Sequence, residues 1–337
     1  MTTGLVLLVG EQLWWDLEAL AHWSDELGRV VLVGTTEDWA PGRAGDRLSR
    51  FVGAHLPAAR LEVVRLADRS LGVVRDAIAT TLDDPALTWI VSGAGGTRLM
   101  GTAAYVATQG RPHATFVVRD ADSAWRRVDD GVETPVPGLD PRAIERYSAA
   151  DLLAATWADD RFDVEVRATP LDPEIAEAAR RTVAGAPWRA EFDRAVAELR
   201  RTGNRLQEGF LFERFVLAIV RALGVQADDV LVGTLLTNGH QRVQEVDVVV
   251  SCNGRLHVID CKLSTTPGVP AGVQIRDGEA TGYHLADGAE QYVLLRPNWR
   301  VDEGIRALAE RFGIRLVDRA ALRLRNLPEV LAELLGL

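Results

Sequence analysis

Apolar positions in the first 120 residues come in short continuous runs separated by longer amphipathic stretches. The runs are Leu5–Val9, Val30–Gly34, Leu61–Leu66, Trp89–Ser92 and Thr115–Val118. Between them, Leu13–Leu27, Ala44–Leu56, Leu71–Leu82 and Arg98–Thr108 carry helical spacing. Continuous apolar strands alternating with amphipathic helices predict a parallel, doubly wound sheet. Sheets of that kind bind ligands at the carboxyl ends of their strands. The pattern breaks over residues 129–141, a polar stretch with three prolines, which closes a first domain. Residues 142–200 are rich in Ala and Arg and read as a helical connector with a turn at Thr169–Pro173. A long helix over Leu206–Leu223, stopped by Gly224, opens the last segment. That segment continues as strand, hairpin, loop, helix, strand and helix to Leu337, with strands at Ala289–Leu295 and Ile314–Val317. The expected organisation is 1–140, a connector over 141–200, and a second α/β domain over 201–337.

Composition narrows the class. With 337 residues, 47% hydrophobic and 26% charged, the chain is too apolar for disorder and long enough for two cores. It has no apolar run long enough to span a membrane. The start, MTTGLVLLVG, lacks a basic leader and cleavage site and reads as a strand. Two cysteines, Cys252 and Cys261, give no disulfide framework, so a cytoplasmic location is expected. A net charge of -10 argues against a general nucleic-acid coat, but not against a local site that uses metal ions. One count stands out: among 38 basic residues the only lysine is Lys262. Arginine is a forked, permanent cation, whereas lysine is a compact point charge.

Lys262 lies in a segment, Arg242 to Lys262 (RVQEVDVVVSCNGRLHVIDCK), made of two β-rich runs around Asn253-Gly254. Asn-Gly favours a two-residue type I′ turn, which fixes the register: Cys252 pairs with Arg255 and later pairs follow. Asp247 then falls opposite Asp260, and Glu245 opposite Lys262. Side chains alternate faces along a strand, so these four share one face while Val246, Val248, Val250, His257, Ile259 and Cys261 face a core. Opposed carboxylates destabilise each other, and the arrangement calls for a cation between them. Mg²⁺ or Mn²⁺ suits hard oxygen donors. A metal that polarises phosphate and activates water, beside a lysine that orients or deprotonates that water or offsets charge, is equipment for phosphodiester hydrolysis. The plainer alternative is an exposed sheet face with a Glu245–Lys262 ion pair.

Asp247 followed by Asp260-Cys261-Lys262 resembles the signature of the PD-(D/E)xK nucleases. The resemblance implies a restriction-endonuclease-like α/β domain in which Asp247, Asp260 and the Cys261 carbonyl hold the metal and Lys262 is catalytic. Glu213, in Phe210–Val216 on the preceding helix, resembles the family's first acidic position. Glu245 stands either as a further ligand or as a partner of Lys262. No proline precedes Asp247, a departure from the literal motif.

In the N-terminal half, Ser92–Met100 (SGAGGTRLM) follows a strand and opens a helix. Its glycines lack dinucleotide-fingerprint spacing, but glycines before a helix N-terminus make a phosphate cradle. With Leu5–Gln12 and Thr35-Thr36, the stretch resembles a Rossmann-like CARF domain, the cyclic-oligonucleotide sensor of type III CRISPR ancillary proteins. That resemblance implies a homodimeric nuclease activated by cyclic tetra-adenylate and cutting DNA or RNA in antiviral defence. It places Gly10, Gln12 and Thr35 at the pocket border, with Gly95, Gly96, Thr97 and Arg98 at the ligand phosphates. Arg98 stands where the family often has Lys. The other readings carried forward are a nucleotide-sensing regulator with an inactive nuclease domain, and a restriction or repair nuclease.

Several residues take plainer roles. His257 and Cys261 read as core or support. A zinc site from Cys252, Cys261, His240 and His257 lacks any C-x-x-C pair. Trp14 and Trp15, near the expected pocket, read first as packing and second as adenine-stacking. Gln274 and Arg276 are substrate-contact candidates by position alone.

Overall fold

The computed structural model describes residues 2–10, 13–119, 124–129, 131–136, 140–156, 163–165, 171–226, 230–238, 241–263, 272–273, 275 and 291–337. The chain falls into two units, Met1–Tyr147 with Ala154–Arg161, and Ser148–Leu153 with Phe162–Leu337. Among the described residues no helix is long and apolar enough to cross a membrane.

The first unit runs β1 (Thr2–Leu8), α1 (Trp14–Trp23), β2 (Leu27–Thr35), α2 (Ala44–His55), β3 (Arg60–Leu66), α3 (Leu71–Thr81), β4 (Leu87–Ser92), α4 (Arg98–Thr108), β5 (Ala114–Arg119), β6 (Trp125–Asp129) and β7 (Val132–Pro135). Strand order is β3-β2-β1-β4-β5-β6-β7. The first five strands are parallel, as the continuous apolar runs require. Val6, Leu8, Val31 and Val33 pack with α3 and α4 residues Val74, Ile78, Met100 and Ala104. The alternating Leu5, Leu7, Val30 and Leu32 are equally inaccessible, so both faces are covered.

Two features depart from the sequence reading. Leu27 does not extend the first helix, because it pairs with Thr3 and begins β2. The polar stretch near 129–141 contributes β7, which with β6 adds an antiparallel edge to the parallel sheet. Strand order reverses between β1 and β4, the switch point at which ligands of such sheets bind.

The short helix α5 (Ala149–Thr156) follows. The second unit then runs β8 (Asp163–Glu165), α6 (Pro173–Val183), α7 (Trp188–Arg201), α8 (Glu208–Ala222), β9 (Val230–Asn238), β10 (Gln241–Cys252), β11 (Arg255–Cys261), β12 (Gln291–Arg296), α9 (Glu303–Arg311), β13 (Arg315–Asp318), α10 (Ala321–Leu324) and α11 (Leu327–Leu335). The sheet order is β13-β12-β11-β10-β9-β8. It is antiparallel from β8 to β11 and parallel from β11 to β13. One face, with Val248, Val250, Ile259, Cys261, Val293 and Leu295, packs on α6, α7, α8 and α11. The other face packs Leu294 against Ile275, Ala309 and Ile314.

The connector of the sequence reading is not separate from this core. α6 presents Ile175, Ala178 and Ala179, and α7 presents Trp188, Phe192, Ala195, Val196 and Leu199. Each set is an apolar stripe at helical spacing, which must be buried against something. Phe212 and Phe215 of α8 meet them, with ring centroids 5.6 Å (Phe192–Phe212) and 5.3 Å (Phe192–Phe215) apart. Truncating a ring buried this fully costs about 3–5 kcal/mol.

Candidate active site and ligand loop

The turn residues of the hairpin set the geometry of everything beyond it. Asn253 and Gly254 both have positive φ, 51° and 68°, as a type I′ turn demands. The β10–β11 ladder then runs from Cys252↔Arg255 to Val248↔Ile259 in the expected register. Past Ile259 the strands exchange ladder for side chains. Asp247 Oδ2 accepts from the Cys261 N–H at 2.8 Å and from Lys262 Nζ at 2.9 Å. Lys262 Nζ also contacts Asp260 Oδ1. The Lys262 backbone N–H turns to Leu295 of β12.

The cation between the two aspartates in this structure is therefore the lysine itself. Glu245 pairs with Leu235 of β9, and its side chain lies outside the described residues. The described ion-pair partners of Lys262 are Asp247 and Asp260.

Glu213 reaches the same cluster from α8, buried among the apolar residues of that helix. Its carboxyl is pushed up to about 8, by burial first and then by Asp247, with Lys262 acting against. Asp247 is pushed up to about 7 by burial and by Asp260, again against Lys262. Burial alone would lower the Lys262 ammonium, but Asp260 and Asp247 outweigh it and hold the group above its ordinary value. With no ion at the two aspartates, they favour the charged form of Lys262. The Cys261 thiol is pushed up by burial and the surrounding carboxylates, so it is no nucleophile.

The donor set suits a hard divalent cation. Two carboxylates and the Cys261 carbonyl are oxygen donors, and Mg²⁺ is commonly held by one or two carboxylates with water and substrate phosphate completing the shell. Burial first, and the neighbouring carboxylates second, hold Glu213 and Asp247 toward their protonated forms even with Lys262 in place. Among the described residues no three His, Cys, Asp or Glu side chains gather into a ready metal cage. The arrangement fits a site of the two-carboxylate kind rather than a closed one.

Three residues of this region were not among the candidates of the sequence reading. Tyr292 donates its hydroxyl to Asp260 at 3.0 Å. Asn298 donates to the Leu263 carbonyl at 2.6 Å. Arg296, 2% exposed, ends β12 and stacks on Trp299 at 4.1 Å. A charged residue closing an apolar strand was the one available hint of Arg296. Gln274 and Arg276 lie outside the described residues.

The loop of the first unit is built from backbone. It lies at the carboxyl ends of β1 and β4, where strand order reverses. A Cβ on Gly10 would stand 2.6 Å from the Gly96 nitrogen, and one on Gly95 would meet the Leu8 carbonyl at 2.4 Å. Gly96 has φ +69°, a conformation glycine adopts freely. Thr97 caps α4, its hydroxyl accepting from the Met100 N–H at 3.3 Å. Thr97 and Arg98 are exposed. Thr35 is tied to its own turn, donating N–H and hydroxyl to Asp38 Oδ2 at 2.6 and 2.9 Å, while Arg69 holds the other oxygen. Gln12 lies outside the described residues.

Of the tryptophans near this loop, Trp14 is core at 1% exposure. Trp15 is half-buried under the Arg119 guanidinium, 4.1 Å from its ring. Arg119 in turn pairs with Glu18. Fully buried Asp16, which the sequence reading passed over, stands directly behind Gly95.

No family model matches the chain, and no curated protein matches it. Among solved structures it is similar to protein VC1899 from Vibrio cholerae, at 15% identity over 99% of this chain and 98% of that one, TM-score 0.72. It is similar also to Can2 from Sulfobacillus thermosulfidooxidans in complex with cyclic tetra-adenylate, at 13% identity over 99% and 100%, TM-score 0.68. A type III CRISPR defence DNA nuclease activated by cyclic oligoadenylate matches at 20% identity over 89% of this chain, TM-score 0.59. The present chain spans 46% of that nuclease's length. At these identities the likeness establishes a shared mixed α/β fold.

Proposed function

We propose that the chain is a metal-dependent endonuclease of the PD-(D/E)xK type, switched on by a cyclic oligoadenylate in type III CRISPR defence. The observation that carries this reading is the placement of the sole lysine between Asp247 and Asp260, with Glu213 brought in from α8. The likeness over nearly full length to a protein solved with cyclic tetra-adenylate supports the sensing half.

In this reading Asp247, Asp260 and the Cys261 carbonyl hold Mg²⁺ or Mn²⁺. The bound ion would polarise the scissile phosphate and make water a better nucleophile. Lys262, kept charged by its neighbours, orients that water and offsets charge growing on the phosphate oxygens. Glu213, its carboxyl pushed up by burial and by Asp247, is the group placed to hold or exchange a proton beside the cluster. Tyr292 fixes the Asp260 carboxylate. Gly10, Gly95, Gly96, Thr97 and Arg98 form the phosphate-binding loop, where backbone N–H groups and the α4 dipole favour anions. A homodimer would present two such loops to a symmetric cyclic ligand. Coupling requires that the ligand favour the cutting arrangement through differential contacts.

The test is cleavage of supercoiled plasmid, single-stranded DNA and single-stranded RNA, with Mn²⁺ or Mg²⁺, with and without cyclic tetra-adenylate, beside Lys262→Ala. Cutting that needs both metal and nucleotide and vanishes in the variant is the expected result. Cutting without nucleotide overturns the sensor, and nucleotide binding without any cutting overturns the nuclease.

A further inference from the structure

Around the carboxyl end of β12 lies an open cleft of about 420 Å³ bordered by Trp188, Arg189, Pro297, Asn298, Arg319 and Arg323. Its size is that of a site for a small ligand or one nucleotide unit. The cleft adjoins the cluster through the chain itself. Asn298, on its wall, donates to the carbonyl of Leu263, the residue after Lys262.

The charge balance of this cleft is opposite to that of the whole chain. Three arginines line it and no carboxylate does. Arg189 is engaged with Asp193 at 3.0 Å and Asn298 at 3.3 Å. Arg319 and Arg323 are exposed, one helical turn apart, and have no ion pair among the described residues. The nearest acid in sequence, Asp318, is fully buried and already taken by Arg306 at 2.5 Å and by the Ala320 and Ala321 N–H groups. Arg296, buried next to the lining residue Pro297, adds a further positive charge behind the cleft. Its Nε and Nη1 are buried and find no hydrogen-bond partner among the described residues. In a chain of net charge -10, two exposed arginines without ion pairs and a buried one with unfilled N–H donors make a local positive patch suited to an anion.

We propose that this cleft seats the phosphate backbone of the nucleic-acid substrate, with Arg319 and Arg323 holding phosphates adjacent to the scissile one. The proposal rests on the nuclease reading for its substrate and goes beyond it in assigning where the strand lies. Arginine forks hold phosphate oxygens in pairs, and their contacts position a strand without reading its bases.

The test uses the full chain with Lys262→Ala, chosen to leave strands uncut, and fluorescein-labelled single-stranded and duplex oligonucleotides read by anisotropy, with cyclic tetra-adenylate and Mg²⁺ present. Adding Arg319→Glu and Arg323→Glu is expected to weaken binding at least about tenfold. It should flatten the dependence of log K on log salt by about 1.4 for a single strand, the share of two phosphate contacts. Arg200→Glu with Arg255→Glu, the same charge change at two other exposed sites, should leave that slope near its starting value. Arg319→Lys with Arg323→Lys should keep most of the binding. Equal loss in both Glu pairs, or none in the first, overturns the cleft even if the parent chain cuts. Binding through Arg319 and Arg323 in this background, with a parent chain carrying Lys262 that never cuts, keeps the cleft and overturns the nuclease. Failure of any oligonucleotide to bind overturns both.

Discussion

The two candidate sites are built from opposite materials. At the end of the β10–β11 hairpin three charged side chains converge, with Glu213 of α8 near enough to feel them, and the backbone serves mainly to aim them. At the switch point of the first sheet the useful groups are backbone N–H, and the side chains have been removed to let the chain pass itself. The hairpin cluster carries buried charge beside like charge, and both effects push the carboxyls of Asp247 and Glu213 up. The loop carries unfavourable conformational freedom, visible as packed glycines. A site of the first kind fails when charge is altered at constant shape, and one of the second when shape is altered at constant charge.

The largest expected effect tests the first half of that contrast. Lys262→Arg keeps the charge but replaces a point cation, held between two carboxylates, with a planar fork. Activity is expected to fall about 10³-fold, the scale seen when a group that stabilises developing charge is lost. Activator binding should be unchanged. The chain has placed arginine at every other basic position, so a variant retaining more than about a tenth of the rate would make the lone lysine an accident of composition.

Gly10→Ala tests the second half. The new Cβ would stand 2.6 Å from the Gly96 nitrogen and 2.7 Å from its Cα, and neither is the end of a flexible side chain. Overpacking of this sort costs about 1–3 kcal/mol. Melting temperature and affinity for cyclic tetra-adenylate should both fall. Gly53→Ala on α2 is the control, since nothing lies within 4 Å of its added Cβ. It should be neutral or slightly stabilising. Loss of activator affinity in both variants alike would detach the loop from ligand binding.

Legibility in the sequence follows the same division. The hairpin register followed from Asn253-Gly254, because a two-residue turn leaves no freedom to slip, and with it the neighbourhood of Asp247 and Asp260. The doubly wound order was legible from continuous apolar runs, since only strands covered on both faces have that composition. What the sequence did not show was where alternation ends. The β10–β11 ladder stops at Val248↔Ile259 and Lys262 lies beyond the last residue of β11, where its ammonium meets both aspartates; the side chain of Glu245, expected opposite it, lies outside the described residues. The stripes of α6 and α7 were visible, but their partner on α8 was a tertiary choice. Tyr292, Arg296 and Asn298 come from a strand and turn some thirty residues on, brought in by parallel pairing of β11 with β12. Parallel register is set by packing and crossover length, for which no short motif exists.

The smallest expected effect concerns stability and bears on whether the hairpin cluster is completed by a metal. Asp247 and Glu213 are raised in the folded chain, by burial first, above their ordinary values of 3.8 and 4.5. The stability that goes with a raised carboxyl is fully present below its unfolded value and is lost as pH rises through the folded one. With chelator present, melting temperature should therefore fall between pH 5 and 8. Each proton held only by the folded state contributes at most about 1.4 kcal/mol per pH unit. Glu18 in the first unit, raised by burial against the pull of Arg119, acts in the same direction. A shallow slope should thus survive in Glu213→Gln with Asp247→Asn. Mn²⁺ or Mg²⁺ should raise the melting temperature more at pH 8 than at pH 5.5, because there it replaces a missing proton with a charge. A metal-free melting temperature that holds steady or rises from pH 5.5 to 8 would mean Lys262 alone balances the carboxylates. The side-chain site would then be as complete without a ligand as the glycine loop is without side chains.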